Sequence, residues 1–84
     1  MNRTEIRAAI VEALRSVAPE SDPASLAETA LLRDSLDLDS MDFLNFLVAL
    51  HASLHVDVPE ADYGKVQTLE AVTDYLQAKL DLAR

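Results

Sequence analysis

Apolar residues recur at helical spacing in three stretches of the chain, and at no regular spacing between the first two. Ile6, Ile10, Ala13, Leu14 and Val17 form one stripe on a helix from about Arg3 to Val17. Asn2 can accept hydrogen bonds from the first free amides of that helix, and Glu5, three residues on, can return the bond as a capping box. Pro19 has no amide hydrogen and disfavours helix in its predecessor, so the helix stops there. From Pro19 to about Leu38 no long periodic segment appears. Asp22-Pro23 can open a turn or a short helical piece, and Leu26, Leu31, Leu32 and Leu36 can pin this stretch to the core.

The second helix, Ser40 to Leu54 and introduced by Asp39, is the clearest element. Advancing about 100° per residue from Ser40 places Phe43, Phe46, Leu47, Leu50 and Leu54 within one arc, the core face. Leu44 lies at its edge. Met41 and Val48 fall off the arc beside Asn45 and Ala52, either as a wide flank of the core or as a small exposed apolar patch suited to docking a partner. Val56-Asp57-Val58 reads as extended, Pro59 to Tyr63 as a short helix that Gly64 ends, and Thr68 as the N-cap of a last helix running to about Leu80. That last helix buries Leu69, Val72, Leu76 and Leu80. The expected architecture is all-α: a small four-helix bundle of three main helices and one short one, with a long loop between the first two, in a single domain over residues 1–84.

Composition agrees with helices, since Ala and Leu together occur 27 times and Val and Ile only 9 times. With no cysteine there is no disulfide framework, thiolate metal site or cysteine nucleophile. A single glycine excludes a Gly-rich phosphate cradle. No apolar run approaches the ~20 residues that span a bilayer. Charges at Glu5, Arg7 and Glu12 spoil a signal-peptide reading, so the expectation is a soluble, cytoplasmic, monomeric chain.

The formal net charge is −8, which argues against nucleic-acid binding and against adsorption to anionic membranes. The excess is local. Seven acids, Asp34, Asp37, Asp39, Asp42, Asp57, Glu60 and Asp62, lie in a stretch from Asp34 to Asp62 that holds no Lys or Arg, while the rest of the chain is nearly neutral. Such asymmetry favours a basic partner surface and steers encounter at long range.

Enzyme chemistry finds little support. A nucleophilic serine needs an adjacent base, and His51 lies about 16 Å along the helix from Ser40 at 1.5 Å per residue, with His55 farther still. His51 and His55 are spaced i, i+4 and could face one metal, with Asp57 nearby, but no third ligand stands at motif spacing; solvated or half-buried histidines at a helix end are the simpler reading. A paired-carboxylate mechanism lacks a cleft to desolvate either acid.

At the head of the acidic region stands Asp39-Ser40-Met41-Asp42-Phe43-Leu44, which resembles the Asp-Ser-Leu signature of acyl carrier proteins. The similarity continues through VALHASLHVDVPEADYGKVQTLEAVTDYL and covers about residues 3 to 80. In that family the serine carries a 4′-phosphopantetheine arm, so the resemblance implies attachment at Ser40, flanked by Asp39 and Met41. A separate phosphopantetheinyl transferase would load it from coenzyme A with Mg²⁺, and the arm's thiol would hold an acyl group as a thioester, sheltered between the helices. The chain itself would not be an enzyme. The further partners implied are an acyl-loading ligase or synthase and acyl-transferring enzymes with basic docking surfaces, meeting Asp37, Asp42, Asn45, Val48, Asp57 and Glu60.

The chain departs from the family in two places. Glycine commonly stands two positions before the aspartate, where this chain has Asp37, and glutamates usual on the second helix are replaced by Asn45, His51 and Ala52. This points to a dedicated carrier for one pathway. Two other readings stay open: an aminoacyl or peptidyl carrier of a ligase-type pathway, and an unmodified interaction module in which Ser40 is only a helix cap.

Overall fold

A computed structural model describes residues 1–82. Helix α1 spans Arg3–Val17, α2 Leu32–Ser35, α3 Ser40–Leu54 and α4 Leu69–Leu82, with 3₁₀ segments at Pro23–Ser25 and Glu60–Lys65. The three long helices fall where apolar periodicity predicts them. In α1 the Asn2 side chain accepts from the Glu5 amide at 2.9 Å and Glu5 accepts from the Asn2 amide at 3.0 Å, the reciprocal capping read from the sequence.

One apolar core joins the elements. Helix α1 packs against α3 and α4 through Ile6, Ile10, Ala13 and Leu14, and α3 contributes Phe43, Phe46, Leu47, Leu50 and Leu54. Leu69, Val72 and Leu76 complete it from α4, while Val17 and Leu80, expected inside, are only half-buried. Val66 and Thr73 are also fully buried; Thr73 satisfies its hydroxyl by donating to the Leu69 carbonyl at 2.7 Å, which is why a polar residue is tolerated on that face. Arg3 bridges α1 to α4 through Asp74, at 2.9 Å, and Gln77, at 3.2 Å.

The connection between α1 and α3 is more ordered than a plain loop. It holds the 3₁₀ turn Pro23–Ser25, where Asp22-Pro23 is expected to open one, and the short helix α2, too brief for a periodic pattern to register. Leu32 and Leu36, one turn apart, are buried, and Leu26 packs against the core. Leu31 does not pin the segment: it is 49% exposed, because it precedes α2 and its backbone is engaged in an antiparallel bridge with Thr68. The Leu32 amide donates to the Gln67 carbonyl at 3.0 Å, the Glu70 amide to the Glu28 carbonyl at 2.9 Å, and Arg7 pairs with Glu28, so the crossing is tied to both α4 and α1.

The other short helix also shifts from its sequence position. It runs Glu60–Lys65, so Pro59 precedes it and Gly64 lies within it. Gly64 does not adopt a positive φ, and the segment ends instead where Val66 drops into the core. Thr68 caps α4 by accepting from the Ala71 amide at 3.1 Å.

Tyr75 of α4 donates to Asp62 at 2.7 Å, and Lys65 lies 3.3 Å from the same carboxylate, which docks the Glu60–Lys65 segment onto α4. The Tyr75 bond, followed by Lys65, holds the Asp62 carboxyl below its ordinary value, while burial and then Asp62 raise the Tyr75 phenol to about 12. Its folded-state value thus lies above the unfolded value near 10, so the unfolded chain ionises first as pH rises and the stability from Tyr75 is lost between about pH 10 and 12. In urea unfolding, Tyr75→Phe is expected to cost about 0.5–1.5 kcal/mol near neutrality and to show a smaller loss of stability over that alkaline window. An unchanged alkaline loss in the mutant would remove Tyr75 as its source.

Candidate functional site at the start of helix α3

Ser40 is the first residue of α3, and the helix owes its start to the residue before it. Asp39 has extended backbone angles and its carboxylate accepts from the Asp42 amide at 2.8 Å; Asp42 in turn accepts from the Asp39 amide at 3.3 Å. This reciprocal pair satisfies donors that a helix leaves open at its N-terminus, and the carboxylates sit at the positive end of the dipole. Ser40 is therefore not the cap. Its exposed hydroxyl takes no part in starting the helix, and accepts one hydrogen bond, from Arg33 Nη2 at 3.3 Å. A guanidinium offers donors and no acceptor, so Arg33 does not serve as a general base for the serine.

The turn into α3 is set by Asp37, which adopts φ 53, in the left-handed region. It follows Leu36, the C-cap of α2, and lets the Leu38 amide reach back to the Arg33 carbonyl at 2.9 Å, the long bond of a Schellman closure. Glycine meets this backbone demand without strain, and aspartate is among the few other residues that tolerate it. Leu38 is then buried, and the chain enters α3 with Ser40 outward.

Along α3 the residues off the core arc are exposed, Met41 at 64% and Val48 at 65%, so they belong to a surface stripe with Asn45 and Ala52, spaced three or four apart. Leu44 is also exposed. A shallow groove beside this stripe is lined by Leu44, Leu47, Val48, His51, Asp57, Val58 and Tyr63. His51 and Asp57 meet across one end of it, Nδ1 to Oδ1 at 2.9 Å, and His55 ends α3 with φ 57. Among the described residues no three His, Cys, Asp or Glu side chains are placed to hold one metal ion.

The acids expected to meet a partner fall into two groups, and Asp37 and Asp42 line one shallow depression before α3. Asp37 lies at the turn, Asp42 is half-buried and engaged in the cap, Asp57 is paired with His51, and Glu60 is exposed at the start of its 3₁₀ segment.

A phosphopantetheine attachment site model matches residues 5–76, a span that runs from Glu5 in α1 through Ser40 and all of α3 to Leu76 in α4. The chain belongs to this phosphopantetheine-attachment family. With the family comes its group, a covalently attached 4′-phosphopantetheine, and the role of a carrier of acyl intermediates. The chain is similar to the acyl carrier protein of Thermosynechococcus vestitus, 25% identical with 95% of this chain and 98% of that one covered. It is 30% identical to the acyl carrier protein of Thermotoga maritima over 70% of this chain and 73% of the other. Against the mitochondrial acyl carrier protein of Neurospora crassa it is 22% identical over 96% of its own length, and spans 60% of that longer protein. The solution structure of a candidate acyl carrier protein from Anaplasma phagocytophilum superposes with a TM-score of 0.81 at 25% identity, covering 94% of this chain and 92% of that one.

The residues present fit the group: an exposed primary hydroxyl, free of capping duty, stands on the first residue of a 15-residue helix, at the positive end of its dipole. Sequence reasoning missed Arg33, which stands seven positions before Ser40 and just ahead of the stretch without bases. Only the left-handed turn at Asp37 brings it back to the serine.

The left-handed residue gives a direct test. Asp37→Gly relieves backbone strain of about 1–2 kcal/mol against roughly 0.5–1 kcal/mol of added unfolded-state freedom, so a net gain of about 0–1.5 kcal/mol is expected. Asp37→Ala, which keeps a Cβ without the short polar side chain, is expected to lose stability. Urea midpoints rank the three proteins, and a glycine variant less stable than wild type would refute the strained turn.

Proposed function

We propose that Ser40 bears the phosphopantetheine arm and that the chain, as one carrier domain, presents an acyl group on it to partner enzymes. The observation that carries this reading is the division of labour at the head of α3: Asp39 and Asp42 cap the helix, and the Ser40 hydroxyl is left exposed. The arm, when attached, supplies a thiol that holds the acyl group as a thioester. The chain's own residues supply a rigid mounting for it, with Asp39 and Met41 flanking the serine and the stripe of Met41, Asn45 and Val48 beside it. On this reading Ser40 is a substrate for a phosphopantetheinyl transferase, and the base that activates it belongs to that enzyme.

Other serines are poorer acceptors. Ser16 donates its hydroxyl to the Ala13 carbonyl at 2.6 Å and Ser25 to the Asp22 carbonyl at 2.9 Å, and neither has the neighbours Asp39 and Met41. Incubation with a transferase and coenzyme A is expected to add one phosphopantetheine to the wild type by intact mass and none to Ser40→Ala. A mass gain on that mutant would overturn the assignment, and no gain on the wild type would favour an unmodified interaction module.

The partner surface supports a dedicated carrier. Its acids stand at the two ends, Asp37 and Asp42 near Ser40, Asp57 and Glu60 beyond α3, whereas Asn45, His51 and Ala52 leave the middle of the exposed side without a carboxylate. The neutral middle also favours, as a second reading, an aminoacyl or peptidyl carrier. General fatty-acid synthesis enzymes are expected to use this carrier poorly, and Asn45→Glu with Ala52→Glu to improve that use. Turnover of the holo proteins by a general ketosynthase or malonyl transferase compares them; good turnover of the wild type would leave an ordinary fatty-acid carrier.

A further inference from the structure

Arg33 differs from the other arginines of the described residues. Arg3, Arg7 and Arg15 each pair with a carboxylate, and Arg33 pairs with none, although Asp34, Asp37, Asp39 and Asp42 follow it closely in the chain. Its guanidinium lies instead against Ser40, with Nη2 at 3.3 Å from Oγ, and over the Phe43 ring at 5.9 Å from the centroid.

Each end of this exposed side chain has a partner. The Phe43 ring is buried and held by Phe46, with centroids 6.1 Å apart, and by the edge-on ring of Tyr63 at 5.9 Å, so it offers a rigid face within the range of a cation–π contact. The backbone of Arg33 belongs to α2, anchored by buried Leu32 and Leu36, and its carbonyl accepts from Leu38 just before the cap of α3. The guanidinium is thus placed by the same turn that presents the serine.

A phosphodiester formed on Ser40 Oγ would add a negative charge between Asp39 and Asp42. Arg33 is the base in contact with that oxygen. Its planar, permanently charged fork of donors matches phosphate oxygens, which a lysine meets only as a point charge. We propose that Arg33 is a positioning residue for the arm: its guanidinium, set by Phe43 and already touching Ser40 Oγ, pairs with the phosphodiester formed there and holds the root of the arm against the repulsion of Asp37, Asp39 and Asp42. This rests on attachment at Ser40.

The test is a four-protein cycle, apo and holo forms of wild type and Arg33→Gln, unfolded in urea at low salt. Intact mass is read first, on wild type and on Ser40→Ala, so that attachment is settled before Arg33 is judged. Attachment is expected to change the folding constant more favourably in wild type than in Arg33→Gln, by about 1.5- to 5-fold, the range of an exposed ion pair. Arg33→Lys is expected to fall between them, and the difference to shrink at 1 M salt, where charges reach only about 3 Å. The phosphorus NMR resonance of the holo protein is expected to move on Arg33→Gln. Equal effects of attachment in both backgrounds, with an unmoved resonance, would mean that Arg33 serves only the fold and would overturn the proposal. A wild type that gains no mass, or a Ser40→Ala that does, overturns the attachment site itself, and the role of Arg33 with it.

Discussion

The site depends on the reciprocal hydrogen bonding of Asp39 and Asp42. A helix must begin somewhere, and its first amides must find acceptors; here the residue before the serine supplies one acceptor and the third residue of the helix returns the bond. Had the cap stood one residue later, the serine hydroxyl would itself have been turned back to accept from a helix amide. A register of one position thus decides whether Ser40 is structural or available. Because the capping residues are carboxylates, they also place negative charge beside that hydroxyl, and whatever acts there must accommodate it.

The core transmits this local arrangement into a fixed position in space. Helix α1 lies along α3, burying Ile6, Ile10 and Leu14, and fixes the axis on which Ser40 stands. The crossing segment then has to return from the end of α1 to the start of α3. It does so through Leu32 and Leu36 in the core, the bridge from Leu31 to Thr68, and the left-handed Asp37. Strain at Asp37 is the local cost of turning sharply enough to bury Leu38 and still expose the serine two residues on. On the far side, the Tyr75–Asp62 hydrogen bond docks onto α4 the segment that carries Tyr63, a lining residue of the groove along α3.

Apolar periodicity was sufficient for α1, α3 and α4, because each runs for several turns and buries one side. It located Met41 and Val48 outside the core arc for the same reason. The crossing segment was not legible at that level: α2 has four residues, less than the span over which a stripe can be distinguished from scattered leucines. Gly64 misled as a helix end because glycine stops a helix only where a positive φ is needed, and here none is. At the site, the Asp39-Ser40-Met41 triplet stood out through its resemblance to carriers, and the Asp39–Asp42 spacing matched a cap. Arg33 carried no comparable signal. Its place beside Ser40 comes from a turn whose geometry is set by Asp37, a position where this chain departs from the glycine usual in the family.

Charge acts on two length scales around that serine. The acidic excess from Asp34 to Asp62 is a field, and at physiological ionic strength it reaches about 8 Å into solvent, enough to bias the approach of a basic surface. Several of its members are already committed: Asp39 and Asp42 to each other's amides, Asp57 to His51, Asp62 to Tyr75 and Lys65. Their charge still contributes to the field, but their positions are fixed by the fold rather than free to follow a partner. Contact is different. Hydrogen-bond distance lies well inside the about 8 Å over which charges act at physiological ionic strength, and there the acids beside Ser40 are joined by a base, Arg33. A surface that attracts cationic partners from afar and keeps a cation of its own beside the exposed serine can serve both the encounter and, on the proposed attachment at Ser40, the arm, which a uniformly acidic surface could not.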